Sequence, residues 1–287
     1  MYEVSSEIYK ETNFQPVKSG TTTGKVVSKF KFRSPKEGLS LFHHAASVDE
    51  DGDLLVCRKY TTNELLGGAI EIEHSEATVL KLVGLQVWRG ALLLADFFFH
   101  KRDELSDKQV LELGAGVGLT SIAAAMYSRK VICTDVDIGG ILNLIRDNVQ
   151  RNWKLCQSCD IKVLECDFMK DPEEYSNELK LVMQESDWIV AADVIYDDEL
   201  TDAFIRVIDV IFESEKRSGK KKAVFVALEK RYVFTLSECD AVAPMFEYFL
   251  TQTIDKPWHF EYIPLDFPQY FEYERCKQLV LLKLTSS

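Results

Sequence analysis

The chain of 287 residues is 46% hydrophobic and carries 34 basic against 46 acidic side chains, a formal net charge of -12. That balance argues against the basic face needed for extended contact with phosphate, so no direct nucleic-acid binding is expected, and long-range attraction favours a basic polypeptide partner. Met1–Lys10 is polar and the most apolar stretch, Gly90–Phe99, is short and holds Asp96, so neither a leader nor a membrane span is expected and the chain reads as a soluble, intracellular monomer.

In chain order, residues 1–83 read as an N-terminal extension, partly β. Turn-forming Ser19–Gly24 precedes a β-like piece at Lys25–Phe32. Asp51-Gly52-Asp53 reads as a turn into a strand at Leu54–Arg58, and Ala77–Gln86 as a further strand. Residues 84–287 carry the main domain, about the 180–200 residues that one α/β unit needs. Gln86–Phe99 shifts to helical spacing. Gln109–Leu113 is a continuous apolar strand, Leu119–Tyr127 a helix and Val131–Thr134 a second strand. Ile138, Ile141, Leu142, Ile145 and Val149 then form the stripe of a helix lying on a sheet. Ile161–Leu164 is the third strand and Trp188–Ala192 the fourth; Leu200, Phe204, Val207, Ile208 and Ile211 mark another amphipathic helix. Ala223–Leu228 is the fifth strand. A helix around Ala243–Leu250 follows, then a closing pair of strands at His259–Pro264 and Gln278–Leu284. Such alternation predicts an α/β, Rossmann-like parallel sheet ended by an antiparallel hairpin, with a β-rich N-terminal extension.

The seven cysteines, an odd number, point to a reducing compartment. Cys156-Gln157-Ser158-Cys159 has the CxxC spacing of a metal or redox pair, but no second pair stands at a matching distance and no metal is expected. Cys133 and Cys166 lie in apolar strands and read as core thiols.

The informative loop is Gly114-Ala115-Gly116-Val117-Gly118, set between a strand and a helix. Glycines there let the backbone turn sharply and approach a ligand, so Gly114, Ala115, Gly116 and Gly118 read as a cofactor cradle. Dinucleotide enzymes need GxGxxG to seat a pyrophosphate. Here the third glycine comes one residue early, with Leu119 in its place, which disfavours a nicotinamide enzyme. GxGxG after the strand acid Glu112 fits S-adenosylmethionine, a nucleoside without phosphate. Asp135 ends the second strand, where an acid accepts hydrogen bonds from ribose hydroxyls; its alternative is an N-cap, for which Asp137 is better placed. Asp167 and Phe168 supply a carboxylate for adenine N6 and a flat face for its ring, or Phe168 is plain core. Trp88 heads an apolar helix and reads as core or cofactor contact. Asp193 ends the fourth strand, at the sheet edge where ligands collect. Asp197-Asp198-Glu199 reads as a helix N-terminus or as an attractor of basic residues.

With these residues in place, the chain resembles family 16 of the seven-β-strand methyltransferases from roughly Gly84 onward. The resemblance rests on Val87-Trp88-Arg89-Gly90-Ala91, Glu112–Leu119, Thr134-Asp135, Asp167-Phe168 and Ala192-Asp193-Val194-Ile195-Tyr196. The last of these contains the family's (D/E)xxY motif. It implies an S-adenosyl-L-methionine-dependent protein-lysine N-methyltransferase that releases S-adenosyl-L-homocysteine. The implied partner is a protein presenting a lysine, expected to be a nuclear protein that handles nucleic acid, and the implied location is nuclear or cytoplasmic. Cofactor contacts are implied for Trp88, Gly114, Ala115, Gly116, Asp135, Phe168 and Ala192. Asp193 and Tyr196 would line the end where the methyl group meets the substrate. One departure stands out: the family usually has Asp-Trp after the third strand, and Phe168 keeps the flat face without the indole N–H.

Two rivals differ from this expectation in class. A nucleic-acid or small-molecule N-methyltransferase often carries Asn/Asp-Pro-Pro-aromatic after the fourth strand, and Asp193-Val194-Ile195-Tyr196 has no proline. A non-catalytic scaffold would not need the intact glycines, Asp135 and Asp193.

Overall fold

Strands that are apolar on both sides must be covered on both sides, and that requirement sets the layout. The computed structural model describes residues 3–11, 16–18, 24–35, 67–235 and 240–287. Its N-terminal strands are β1 (Glu3–Val4), β2 (Val17–Lys18), β3 (Lys25–Arg33), β4 (Gly67–Ser75) and β5 (Thr78–Val79). The helix α1 (Arg89–His100) and the short α2 (Arg102–Leu105) lead into β6 (Gln109–Leu113), α3 (Leu119–Ala125), β7 (Lys130–Asp135), α4 (Ile141–Arg151) and α5 (Trp153–Cys156). Then follow β8 (Asp160–Glu165), α6 (Asn177–Glu185), β9 (Trp188–Ala192), α7 (Asp198–Ser218) and β10 (Ala223–Glu229). A small hairpin, β11 (Val233–Thr235) and β12 (Asp240–Val242), precedes α8 (Pro244–Thr253), β13 (Trp258–Tyr262) and β14 (Leu279–Ser286).

The central sheet has seven strands in the order β13-β14-β10-β9-β6-β7-β8. β6 to β10 run parallel, and β14 is antiparallel to both of its neighbours. The expected parallel sheet with a closing antiparallel pair is therefore present. Successive side chains leave opposite faces of a strand. Val110, Val131, Val190 and Phe225 thus join α1, α3 and α4 in one apolar cluster. Leu111, Ile132, Ile189 and Val226 join α6, α7 and α8 in the other.

The N-terminal strands share the first of these clusters, through Phe30, Phe32, Ile70 and Ile72. β3 and β4 pair from Lys25↔Ser75 to Arg33↔Gly67. The outer edge of β4 meets α4 and its C-cap residue, and the side-chain amides of Asn148 and Asn152 replace a missing strand. Asn148 accepts from Glu73 N at 2.8 Å and donates to Glu73 O at 3.0 Å. Asn152 accepts from Glu71 N at 2.9 Å and donates to Glu71 O at 2.7 Å.

Two expectations are corrected. Ala77–Gln86 is not a strand: β5 ends after the two residues that β1 can pair, and Leu80–Leu85 is a 3-10 run. Ile138 is outside α4, 48% exposed, because Gly139 and Gly140 adopt φ of +62° and +77° and delay the helix to Ile141. β4 and α6 are additional elements. The turn Asp51-Gly52-Asp53, the strand Leu54–Arg58 and most of Ser19–Gly24 lie outside the described residues. Leu80–His100 has the length and hydropathy of a membrane span, yet 78% of its apolar window is buried inside the protein. Its composition is that of core.

Candidate functional site

The carboxyl ends of the parallel strands open onto a cavity of about 640 Å³. The glycine loop lines it on one side and Leu80–Trp88 on another; the residues after β7, β8 and β9 complete it. Trp88, Gly114, Ala115, Gly116, Asp135, Asp167, Phe168, Ala192, Asp193 and Tyr196 all line this one space. Gly118 does not. Its Cα side faces α4, where an added Cβ would come within 3.3 Å of Ile145.

The loop conformation requires glycine. Gly116 sits at φ +57°, and a Cβ there would stand 2.9 Å from the Gly84 carbonyl. At Gly114, φ is +67° and a Cβ would stand 2.8 Å from Val194. A cradle that a Cβ would fill is what close approach of a ligand to backbone demands. Asp135 locks the loop: Oδ2 accepts from Gly116 N at 2.7 Å and Oδ1 from Val136 N at 2.8 Å. Burial pushes its carboxyl up to about 6 despite those bonds. It is no helix cap, since Gly140 precedes α4.

Glu112 is the residue whose weight the sequence reading undervalued. Its side chain lines the cavity, is 1% exposed, and Oε1 has no hydrogen-bond partner among the described residues. Ser121 Oγ donates to Oε2. Burial raises this carboxyl to about 7, with the Asp135 charge adding to it, against the pull of the Ser121 hydroxyl and of the neighbouring Thr120 hydroxyl and Ser121 N–H. A buried, half-satisfied carboxylate is costly unless a ligand completes it. The signal was present in the sequence: an acid inside an otherwise apolar strand is rarely buried without a partner.

Asp193 adopts φ +52°, the one non-glycine residue with positive φ among those described. Its carboxylate is a clamp. Oδ2 accepts from Gly90 N at the head of α1 at 2.7 Å, and Oδ1 from Glu229 N at the end of β10 at 2.9 Å. Burial raises it to about 6. Gly90 must be glycine, because a Cβ would come within 2.6 Å of Asp193 Oδ2. Trp88 is half-buried rather than core; its indole N–H donates to Val83 O at 3.0 Å, and the Arg231 guanidinium lies 4.8 Å from its ring centre. Phe168 is buried and packs on Phe204 while lining the cavity, so core and ligand roles coincide. Asp167 Oδ1 accepts from Met169 N at 2.9 Å, which fixes the turn. Tyr196 is exposed at the rim, its hydroxyl raised to about 12 by desolvation and by the charges of Asp135 and Asp197.

Cys133 and Cys166 are buried core thiols. Among the described residues no cluster of His, Cys, Asp and Glu could hold a metal. A second cavity, about 780 Å³, lies beside Arg89 and Tyr270–Glu274. Its charges are largely paired with one another, Arg89 with Glu11 and Glu274, and it does not reach the glycine loop.

The residues fit S-adenosyl-L-methionine on three counts: the glycine cradle, an acid at the end of β7, and a buried carboxylate with one oxygen unsatisfied where the cofactor's ammonium group needs a counter-charge. A lysine methyltransferase family model matches residues 69–239. Methyltransferase-like protein 22 from mouse is 36% identical over 84% of this chain and 65% of its own length. The human protein of that name is 36% identical over 83% of this chain and 70% of its own. The mouse protein-lysine N-methyltransferase EEF2KMT is 27% identical over 76% of this chain and 63% of its own. The chain thus spans about two thirds of the length of these relatives, and within that span the loop, the acids and the family match agree: it belongs to the lysine methyltransferase family.

Proposed function

We propose that this chain is an S-adenosyl-L-methionine-dependent protein-lysine N-methyltransferase. The observation that carries the reading is the unsatisfied Glu112 carboxylate inside a glycine-walled cavity of a chain in this family. The bound cofactor supplies an electrophilic methyl group on a sulfonium. Everything else falls to the chain's own residues.

Methyl transfer is an in-line displacement, so alignment is the main contribution a protein can make. Gly114 and Gly116 bring backbone against the ligand, Asp135 binds the ribose hydroxyls with its spare lone pairs, and Phe168 and Asp167 flank adenine. Asp193 holds the head of α1 to the end of β10, which fixes Trp88 at the cavity edge. Each Asp193 oxygen accepts one backbone N–H and retains a further lone pair, enough to orient an incoming amine. Tyr196 forms part of the rim through which that amine enters. A free lysine titrates near 10.4; desolvation on passing Tyr196 into the cavity would lower that value toward the neutral nucleophile. The acidic balance of the chain suits a basic protein substrate. The finer expectation, a nuclear target that handles nucleic acid, is supported by the family resemblance alone.

The test is to incubate the protein with tritiated S-adenosyl-L-methionine and a cell extract, then map the labelled residue. Label on a protein lysine is the expected result. Label on nucleic acid or on a small molecule would replace this reading by another methyltransferase class, and no transfer despite tight S-adenosyl-L-homocysteine binding would make the chain a scaffold. Tyr196→Phe is expected to lower kcat about tenfold or more with cofactor affinity little changed.

A further inference from the structure

The cavity wall Leu80–Trp88 is held only in part by its own hydrogen bonds, Gln86 N donating to Val83 O at 3.1 Å and the Trp88 indole N–H to the same carbonyl at 3.0 Å. Its 3-10 run contains Leu82 at φ -116°, ψ 18°, outside the helical range, and its N-terminal end has no side-chain cap. The segment Glu3–Glu11 supplies what is missing. β1 pairs with β5 through Glu3↔Val79 and Val4↔Thr78. The buried Gln86 amide is engaged with this segment: Oε1 accepts from Ser6 N at 2.9 Å, while Nε2 donates to Val4 O at 3.0 Å and to Thr78 Oγ1 at 2.7 Å. Val87 N donates to the Tyr9 hydroxyl at 2.8 Å. Ile8 is 3% exposed and joins the apolar cluster of Leu85 and Val87.

Charge continues the attachment on the far side of Trp88. The Arg89 side chain is 9% exposed and binds Glu11 at 3.0 Å and Glu229 at 3.0 Å, the residue whose N–H is held by Asp193. Glu7 pairs at 2.9 Å with Arg231, the cation over the Trp88 ring. Tethers at 86, 87 and 89 therefore bracket Trp88, while none of residues 3–11 lines the cavity.

We propose that Glu3–Glu11 is a strap that sets cofactor affinity, with Tyr9 and Glu11 as positioning residues acting through Val87, Trp88 and Arg89. A wall that samples other conformations binds its ligand only in the competent fraction, so apparent affinity falls in proportion. The inference rests on the cavity being the S-adenosyl-L-methionine site, and the experiment separates the two claims. Calorimetry with S-adenosyl-L-homocysteine is run on the parent, on Tyr9→Phe, on Glu11→Gln and on the double variant, alongside melting without ligand and steady-state kinetics. Each single change is expected to raise Kd about threefold and the pair about tenfold, the weight of one or two hydrogen bonds to the wall. KM for the cofactor should rise in parallel, kcat at saturating cofactor should stay within about twofold, and the ligand-free melting temperature should move by only a few degrees. Lys29→Ala, which breaks the exposed Lys29–Glu71 pair on the outer strands, should leave Kd unchanged. A double variant that binds like the parent overturns the strap, as does one whose kcat and melting temperature collapse together with affinity. A parent protein that does not bind S-adenosyl-L-homocysteine overturns the cofactor reading itself.

Discussion

At Gly116 the backbone, an acid and the cavity meet in one residue. Its N–H donates to Asp135, its φ is positive, and the space where a Cβ would stand belongs to the Gly84 carbonyl. Gly116→Ala adds the strain of a left-handed alanine, about 1–2 kcal/mol, to a contact that only loop or wall movement relieves. S-adenosyl-L-homocysteine affinity is expected to fall at least about tenfold. Gly140→Ala is the control: φ there is +77°, but nothing lies within 4 Å, so melting temperature should drop slightly while calorimetry shows the affinity kept. Glycine spacing and the strand-end acid were legible because their meaning is local. The Asp193 clamp was not. Its partners lie 103 and 36 positions away, and no periodicity links Gly90, Asp193 and Glu229 before the sheet assembles.

Among the elements, α1 shows how one polar side chain organises an apolar helix. In sequence Asp96 only interrupts a hydrophobic run. In the fold it is fully buried and anchors the segment between β13 and β14: Oδ1 accepts from Tyr270 N at 2.7 Å and Phe271 N at 2.9 Å, and Oδ2 from the Tyr273 hydroxyl at 2.9 Å and Arg275 at 2.6 Å. Removing one partner of a buried ion pair leaves the other uncompensated, at about 3–5 kcal/mol. Asp96→Ala should therefore shift the denaturant midpoint by that amount with an unchanged slope. Asp96→Asn should cost less, because one acceptor oxygen survives. A loss under about 1 kcal/mol for Asp96→Ala would show that the segment is held elsewhere. The central strands and α7 were readable because apolar periodicity dominates them. β4 was not, since Glu73, His74 and Ser75 are polar yet buried, satisfied by Arg151 at 2.7 Å from Glu73 and by Ser28 at 2.7 Å from His74.

Across the whole molecule, three buried acids from three strand ends converge on one cavity: Glu112, Asp135 and Asp193. Burial raises them to about 7, 6 and 6. For an acid whose folded value lies above its unfolded value, the folded state holds the extra proton. Stability is then fully present below about 4 and is lost as pH rises through 6 and 7. For Glu112 alone the loss is on the order of 3 kcal/mol. Between pH 5.5 and pH 8 these three acids should thus lower the melting temperature of the ligand-free protein, opposed by buried His74, which desolvation holds down to about 4 and whose cost to the folded state fades as pH rises past its ordinary value. Ligand binding has the opposite sign. If Glu112 is the counter-charge for the cofactor's ammonium it must be ionised to bind, so S-adenosyl-L-homocysteine affinity should rise from pH 5.5 to pH 8, with proton release on binding in the interval around pH 7. Glu112→Gln separates the two effects: it keeps the shape, removes the charge, and should take the Glu112 contribution out of the melting profile, leaving those of Asp135 and Asp193, while weakening S-adenosyl-L-homocysteine at pH 8 about tenfold or more. A Glu112→Gln variant whose ligand-free melting temperature changes from pH 5.5 to pH 8 as the parent's does would refute the claim that ionising Glu112 costs the folded state. A Glu112→Gln variant that binds as tightly as its parent would place the ammonium elsewhere. On this reading the three acids weaken the folded chain in the pH range where the proposed cofactor would bind best, so occupancy of the cavity would become part of what holds the carboxyl ends of β6, β7 and β9 together.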